Sequence, residues 1–178
     1  MKKLILVSTI IFITISASAQ LVRPNRPTPT LDVSSGYIMI NEFASGFGLS
    51  GRTVPYSRSY YGITSLHAYQ VNETFMVGGA TGLLFYKDGL MVPVYLDMRV
   101  RLTQSTMFPF LSGAGGLLLS TADIDAGTRM FINPAAGLMY TIKKEMAVSF
   151  SAGLQMQMAP NTGRASFFTS KIGVVYKF

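Results

Sequence analysis

Along most of the chain apolar and polar residues alternate one for one. The alternation is clearest at the carboxy-terminal end, FFTSKIGVVYKF, where Phe168, Ile172, Val174, Tyr176 and Phe178 share one face with only Ser170 breaking the row. Thr169, Lys171, Gly173, Val175 and Lys177 take the other face. A repeat of two is the period of a β-strand. From Gly36 onward eight such segments follow one another: Tyr37–Ser50, Ser59–Val71, Phe75–Lys87, Leu90–Leu102, Phe108–Thr121, Thr128–Ile142, Met146–Met158 and Phe167–Phe178. Turn signals separate them at Asn72-Glu73-Thr74, at Asp88-Gly89, from Thr103 to Thr106 and at Lys143-Lys144-Glu145, with loops at 51–58, 122–127 and 159–166.

Two segments decide which face is covered by what. In the fourth, Leu90, Val92, Val94, Leu96, Met98, Val100 and Leu102 oppose Asp97, Arg99 and Arg101. In the seventh, Met146, Val148, Phe150, Ala152, Leu154, Met156 and Met158 oppose Ser149, Ser151, Gln155 and Gln157. A soluble eight-stranded barrel needs an apolar interior and a polar exterior. Here the polar rows are rich in Gly, Ser and Thr, and no amphipathic helix is available to cover the bulky aliphatic rows. The pattern therefore predicts the inverse arrangement, with apolar side chains outward in lipid and polar ones inward. Turning the fourth strand over would put Arg99 and Arg101 in lipid at about 2–4 kcal/mol each near the midplane, which settles the register. A last strand that must pair with something is satisfied by closing on the first. The fold class expected is all-β, an eight-stranded antiparallel up-and-down transmembrane β-barrel over 36–178.

Composition agrees with a chain that offers water little. Charged residues make up 13% and hydrophobic ones 49% of 178 residues, the former about half the usual share. The longest apolar run beyond the amino-terminus, Leu111 to Leu119, carries three glycines and is far short of the ~20 residues of a spanning helix. Residues 1–19 have Lys2 and Lys3, an apolar stretch from Leu4 to Ile15 and then Ala17-Ser18-Ala19, the order of a cleavable signal peptide. Residues 20–35, with Pro24, Pro27 and Pro29, read as an extended periplasmic lead-in that serves as a linker. The expected location is the outer membrane.

With both ends of the barrel segment on the periplasmic side, the turns at 72–74, 103–106 and 143–145 are periplasmic. Those at 51–58, 88–89, 122–127 and 159–166 are external. Three of the four external connections are then longer than any periplasmic one, as such barrels prefer. Pro93 and Pro134 remove ladder donors and are expected toward the external ends of their strands.

Charge and chemistry add limits. The net charge of +7 falls by two with the signal peptide, and the remaining basic residues are scattered, so nucleic acid is not an expected partner. The absence of cysteine removes disulfides, thiol redox sites and a lipoprotein anchor. No cofactor or metal is expected. Glu42, Asp97, Arg99, Arg101, Arg129 and Lys171 are candidates for a lumenal charge network in which each charge offsets another's desolvation; a narrow polar path or ligand site is the sharper alternative. Ser65 and His67 share a strand face as a nucleophile and base could, but no sequence feature places an orienting acid such as Glu42 or Glu73 beside them. Glycines such as Gly78, Gly79, Gly113, Gly115, Gly116 and Gly153 are followed by no helix, which excludes phosphate-cradling loops. They are expected to relieve crowding where a small barrel bends.

Four stretches, VPVYLDMR (Val92–Arg99), FPFLSGAG (Phe108–Gly115), FINPAAG (Phe131–Gly137) and KIGVVYKF (Lys171–Phe178), resemble the porin-like outer-membrane β-barrel family of diderm bacteria. The resemblance spans roughly 36–178 and implies an eight-stranded barrel in contact with outer-membrane lipids. It also implies a terminal strand read during biogenesis by the barrel-assembly machinery, with Phe168, Ile172, Val174, Tyr176 and Phe178 as the signal. The chain departs from many relatives in carrying Val100 and Arg101 where an aromatic often follows the Arg99 position, and in having no Trp; tyrosines are expected at the interfaces instead. An interior this narrow is filled by side chains, so the expected role is non-enzymatic, in envelope integrity or in contacts of the external loops. The alternatives are a narrow conduit for small or apolar solutes and, behind it, a lipid deacylase using Ser65 and His67. Nothing in the pattern specifies an oligomeric state.

Overall fold

The computed structural model describes residues 30–32, 34–49, 57–121, 127–159 and 163–178. The expected signal peptide, most of the lead-in and the centres of the loops at 51–58 and 122–127 lie outside the described residues. Eight strands follow in order: β1 (Gly36–Gly48), β2 (Ser59–Gln70), β3 (Phe75–Tyr86), β4 (Gly89–Arg101), β5 (Met107–Ser120), β6 (Arg129–Lys143), β7 (Met146–Ala159) and β8 (Gly163–Lys177). Each pairs antiparallel with the next, and β8 pairs with β1, so the sheet closes on itself. Closure leaves no free edge to recruit another chain. The end where β1 starts and β8 finishes is called here the terminal end, the other the far end.

The side-chain faces fall as the alternation predicts. On β4, Met91, Tyr95, Asp97 and Arg99 are buried while Val94, Leu96, Met98 and Val100 are exposed; on β7, Ser149, Ser151, Gln155 and Gln157 are buried while Phe150, Leu154 and Met156 are exposed. The outer wall is accordingly a continuous aliphatic and aromatic surface. Tyr37, Tyr69, Tyr140 and Tyr176 stand exposed toward the terminal end and Tyr61 toward the far end, where its ring stacks on Phe85 at 5.6 Å.

Three local features differ from the pattern reading. β8 begins at Gly163, where it pairs with Ala159, so the expected loop at 159–166 shrinks to 160–162. Arg164 and Ser166 are polar and follow Gly163, which looks like a loop, yet Ala165 and Phe167 are buried and carry the inward row onward. That far-end connection is therefore shorter than the one at 102–106, and only the loops after β1 and β5 are longer than every terminal-end turn. The hairpin signal at Asp88-Gly89 is met one residue earlier: Tyr86 pairs with Gly89, which leaves Lys87 and Asp88 at the tip. Gly89 adopts φ of 149°, a backbone that side-chain-bearing residues avoid.

Pro93 and Pro134 sit inside strands and interrupt pairing on one side only. Pro93 pairs with Leu118 of β5, but the β3 ladder breaks between Thr81↔Val94 and Leu84↔Met91. Pro134 pairs with Gly113 of β5, and the β7 ladder breaks between Ile132↔Met156 and Ala135↔Gly153. One missing donor per proline accounts for the pattern.

Candidate functional site

The inward rows make the only enclosed region with charge among the described residues. Glu42 on β1 faces Arg99 on β4 across the lumen, with Arg99 Nη2 donating to Glu42 Oε1 at 2.8 Å. Arg99 Nε also donates to Asp97 Oδ1 at 3.1 Å, two residues away on the same face. Lys171 on β8 approaches the second oxygen of Glu42 at 3.5 Å and lies over the Tyr95 ring at 5.4 Å. Two acids thus meet two bases, and the cluster is neutral. Glu42, Asp97 and Arg99 are each 2–3% exposed, so each charge offsets another's desolvation.

Backbone geometry makes room for this contact. Glu42 pairs with Gly173 on β8, and a Cβ at Gly173 would stand 2.8 Å from Glu42 Cγ and 3.1 Å from Ser149 Oγ. Gly46 does the same for Tyr60, whose ring occupies the space a side chain there would need. These two glycines are spaces for inward side chains.

Aromatic layers close the lumen on both sides of the charges. Toward the far end, Tyr60, Tyr86 and Phe167 pack with centroids 5.1 to 6.4 Å apart; Tyr60 Oη donates to Gln155 Oε1, and Gln157 Nε2 donates to Tyr86 Oη at 3.0 Å. Toward the terminal end, Phe108, Phe110 and Met139 are buried, with Arg99 over the Phe110 ring at 5.4 Å. Two voids lined by the described residues are small. One of about 20 Å³ lies among Tyr60, Thr64, Tyr95, Phe131, Gln155 and Lys171, and one of about 10 Å³ beside Leu31, Arg99 and Phe110. Such spaces suit about one water each.

The terminal mouth holds a feature the sequence reading did not contain. Leu31, in the segment expected to be a bare linker, is 4% exposed and lines a small void inside the mouth together with Gln70, Met76, Phe108 and Met139. Asp32 N–H donates to Lys144 O at 2.9 Å. Lys177, on the inward row of β8, donates to Asp32 O at 3.1 Å and to Ser34 O, and its ammonium lies 3.6 Å from Asp32 Oδ1. A single leucine among prolines and polar residues has no periodicity to reveal it.

Of the six residues expected in the lumenal network, Glu42, Asp97, Arg99 and Lys171 come together. Arg129 is fully buried on the inner face but at the far end, as the first residue of β6. Arg101 stands apart at the terminal rim, where its side chain donates to Thr103 O at 2.7 Å and Ser105 O at 3.2 Å and its guanidinium caps the Phe108 ring at 3.6 Å. It shares the strand face of Arg99 but is the last residue of β4, where turn carbonyls are within reach. The terminal-strand residues Phe168, Ile172, Tyr176 and Phe178 are exposed on the outer wall and Val174 is half-buried.

Ser65 and His67 are also on the outer wall. Ser65 Oγ and His67 Nε2 are 3.3 Å apart, and His67 Nδ1 shares a 2.5 Å hydrogen bond with Tyr37 Oη. The group at the second imidazole nitrogen is therefore a phenol. Glu42 is on the opposite, inner face, and Glu73 is engaged by Gln104 in the terminal turns.

No protein-family model matches the chain, and no curated protein matches it. Among solved structures it is similar to Neisserial surface protein A, with a TM-score of 0.60 and 16% identity over 81% of this chain and 98% of that one. It is similar to the N-terminal β-barrel domain of Pseudomonas aeruginosa OprF, with 0.55 and 16% over 81% and 99%, and to the outer membrane protein OprG of Pseudomonas aeruginosa, with 0.55 and 11% over 86% and 99%. At these identities the likeness is one of architecture, and the chain has the fold of the small eight-stranded β-barrels seen in bacterial outer-membrane proteins.

Proposed function

We propose that this chain is an integral outer-membrane barrel of the porin-like kind, exported by its signal peptide, that acts without catalysis and without conducting solute. Its part is in envelope integrity and in contacts made by the far-end loops. Support for the membrane location is physical. The wall carries exposed Leu96, Leu111, Leu138, Phe150, Leu154 and Ile172, a surface far larger than an ordinary soluble monomer exposes. A closed sheet pairs its own backbone, as hydrocarbon requires. The single observation that carries the functional reading is the filled lumen, in which the neutral Glu42–Arg99–Asp97–Lys171 cluster lies between two aromatic layers and beside voids of about 20 Å³ and 10 Å³ among the described residues.

Reconstitution tests it directly. Purified barrel in planar bilayers is expected to give no steady single-channel steps, and loaded liposomes are expected to retain small solutes. Regular steps abolished by bulkier lumenal side chains would replace this reading with the narrow conduit.

A further inference from the structure

The outer wall is not uniformly apolar. On β4 to β7 the outward positions between the end residues are aliphatic, aromatic, Gly, Ala or Pro, whereas β1 to β3 carry a polar row. The register sets Asn41 beside Ser65 and Ser65 beside Thr81, with His67 one outward position nearer the terminal end. Ser65 and His67 are hydrogen-bonded to each other, and Tyr37 bonds His67. On β8 and β1, Ser170 and Ser45 likewise satisfy each other at 2.8 Å. The side chains of Asn41 and Thr81 are exposed and have no hydrogen-bond partner among the described residues.

Depth decides what can partner them. Asn41 is four residues beyond Tyr37, which puts it roughly 10 Å further into the wall for a strand rising ~3.3 Å per residue at a ~40° tilt. The apolar band of such barrels is ~25 Å tall, so the row sits near its middle, beyond the reach of lipid headgroups and esters. Hydrocarbon offers an amide or hydroxyl nothing, and an unpaired one is strongly disfavoured there. A partner must itself carry hydrogen-bonding groups at the same depth.

We infer that the β1–β3 wall, centred on Asn41, Ser65 and Thr81, is the interface through which two copies of this chain pair in the membrane. This inference rests on the membrane reading above. Two copies inserted the same way round and related by a two-fold axis along the membrane normal bring equal depths together, polar row against polar row. Shallow open grooves of about 420 Å³ and 540 Å³ flank Thr81, and Gly79, which lines the larger, presents no side chain to the outside. Small residues beside interchain hydrogen bonds are what permits close packing within a bilayer. The opposite wall, where Leu138 and Phe150 are exposed, carries no such polar row on β5 to β7.

The chain has no cysteine, so single replacements report cleanly. Asn41→Cys, Ser65→Cys and Thr81→Cys would each be oxidised in outer membranes beside Leu138→Cys, with heat-dependent gel mobility measured on the same samples. At least one of the three is expected to give several-fold more covalent dimer than Leu138→Cys. The variant Asn41→Leu with Thr81→Val is expected to lose the dimer seen by amine cross-linking while keeping the heat shift. A heat-shifted barrel whose three cysteines cross-link no more than Leu138→Cys would overturn the interface, including the case in which native mass spectrometry finds a tightly held lipid there instead. Absence of the heat shift itself would overturn the membrane reading and the interface with it.

Discussion

Arg99 is the residue on which most depends. Its guanidinium reaches Glu42 on the other side of the lumen and Asp97 on its own strand, and each carboxylate is too buried to find water in its place. Replacing Arg99 by Met is expected to lower unfolding stability in detergent by about 3–5 kcal/mol, the usual cost of leaving buried charge unpaired. Removing Glu42 as well, as Leu, is expected to recover part of that loss in urea titrations, because fewer charges then stay uncompensated. Gly173→Ala is a gentler probe: a methyl group 2.8 Å from Glu42 Cγ is expected to cost about 1–3 kcal/mol through forced displacement. For the outer-wall pair, His67→Ala is expected to leave lipid A acylation unchanged in mass spectra of the envelope; a shifted lipid would establish catalysis by Ser65 and His67. That Asp97 and Arg99 share a face was legible from their spacing of two. Their meeting with Glu42 was not, because contact across a barrel depends on shear and tilt, to which alternation is blind.

Strands were legible wherever alternation was unbroken, as in β4 and β7. They became illegible where turn-type residues occur inside a strand, which is why Gly163 to Ser166 read as loop although Ala165 and Phe167 continue the inward row. The terminal segment escaped for another reason. Asp32 and Ser34 are held by Lys177, which the pattern placed on the inner face with no partner in view. Ser34 and Lys177 hold the Asp32 carboxyl below its ordinary value of 3.8. A group with a depressed folded pKa adds stability that is complete above its unfolded value and is lost as pH falls through the folded one. A spin label at Thr30→Cys is therefore expected to be slow at neutral pH and to loosen only below about that ordinary value, whereas Asp32→Asn should loosen it at neutral pH as well. The closing strand carries a separate expectation. Phe178 is 74% exposed, with its ring 5.4 Å from Tyr37, so Phe178→Ser should scarcely alter the stability of refolded barrel. If the terminal aromatic is read during assembly, the same change should sharply reduce the amount inserted in cells, as quantitative blots of outer membranes would show.

At the level of the whole molecule, one inversion organises everything: apolar rows outward, polar rows inward, and a sheet closed by β1 and β8. It follows from alternation together with the shortage of charge, and the architecture shared with the solved outer-membrane barrels agrees with it. The filled lumen was legible from the strand count alone, but the polar row on one wall was not, since it depends on which strands become neighbours at which height. The most direct test of the inversion is electrophoresis of the outer-membrane fraction with and without boiling. The barrel is expected to run faster unheated, as a closed sheet that resists detergent, and to shift on boiling. A protein found soluble in the periplasm with no shift would contradict the account, because a wall of this composition could not then be facing water.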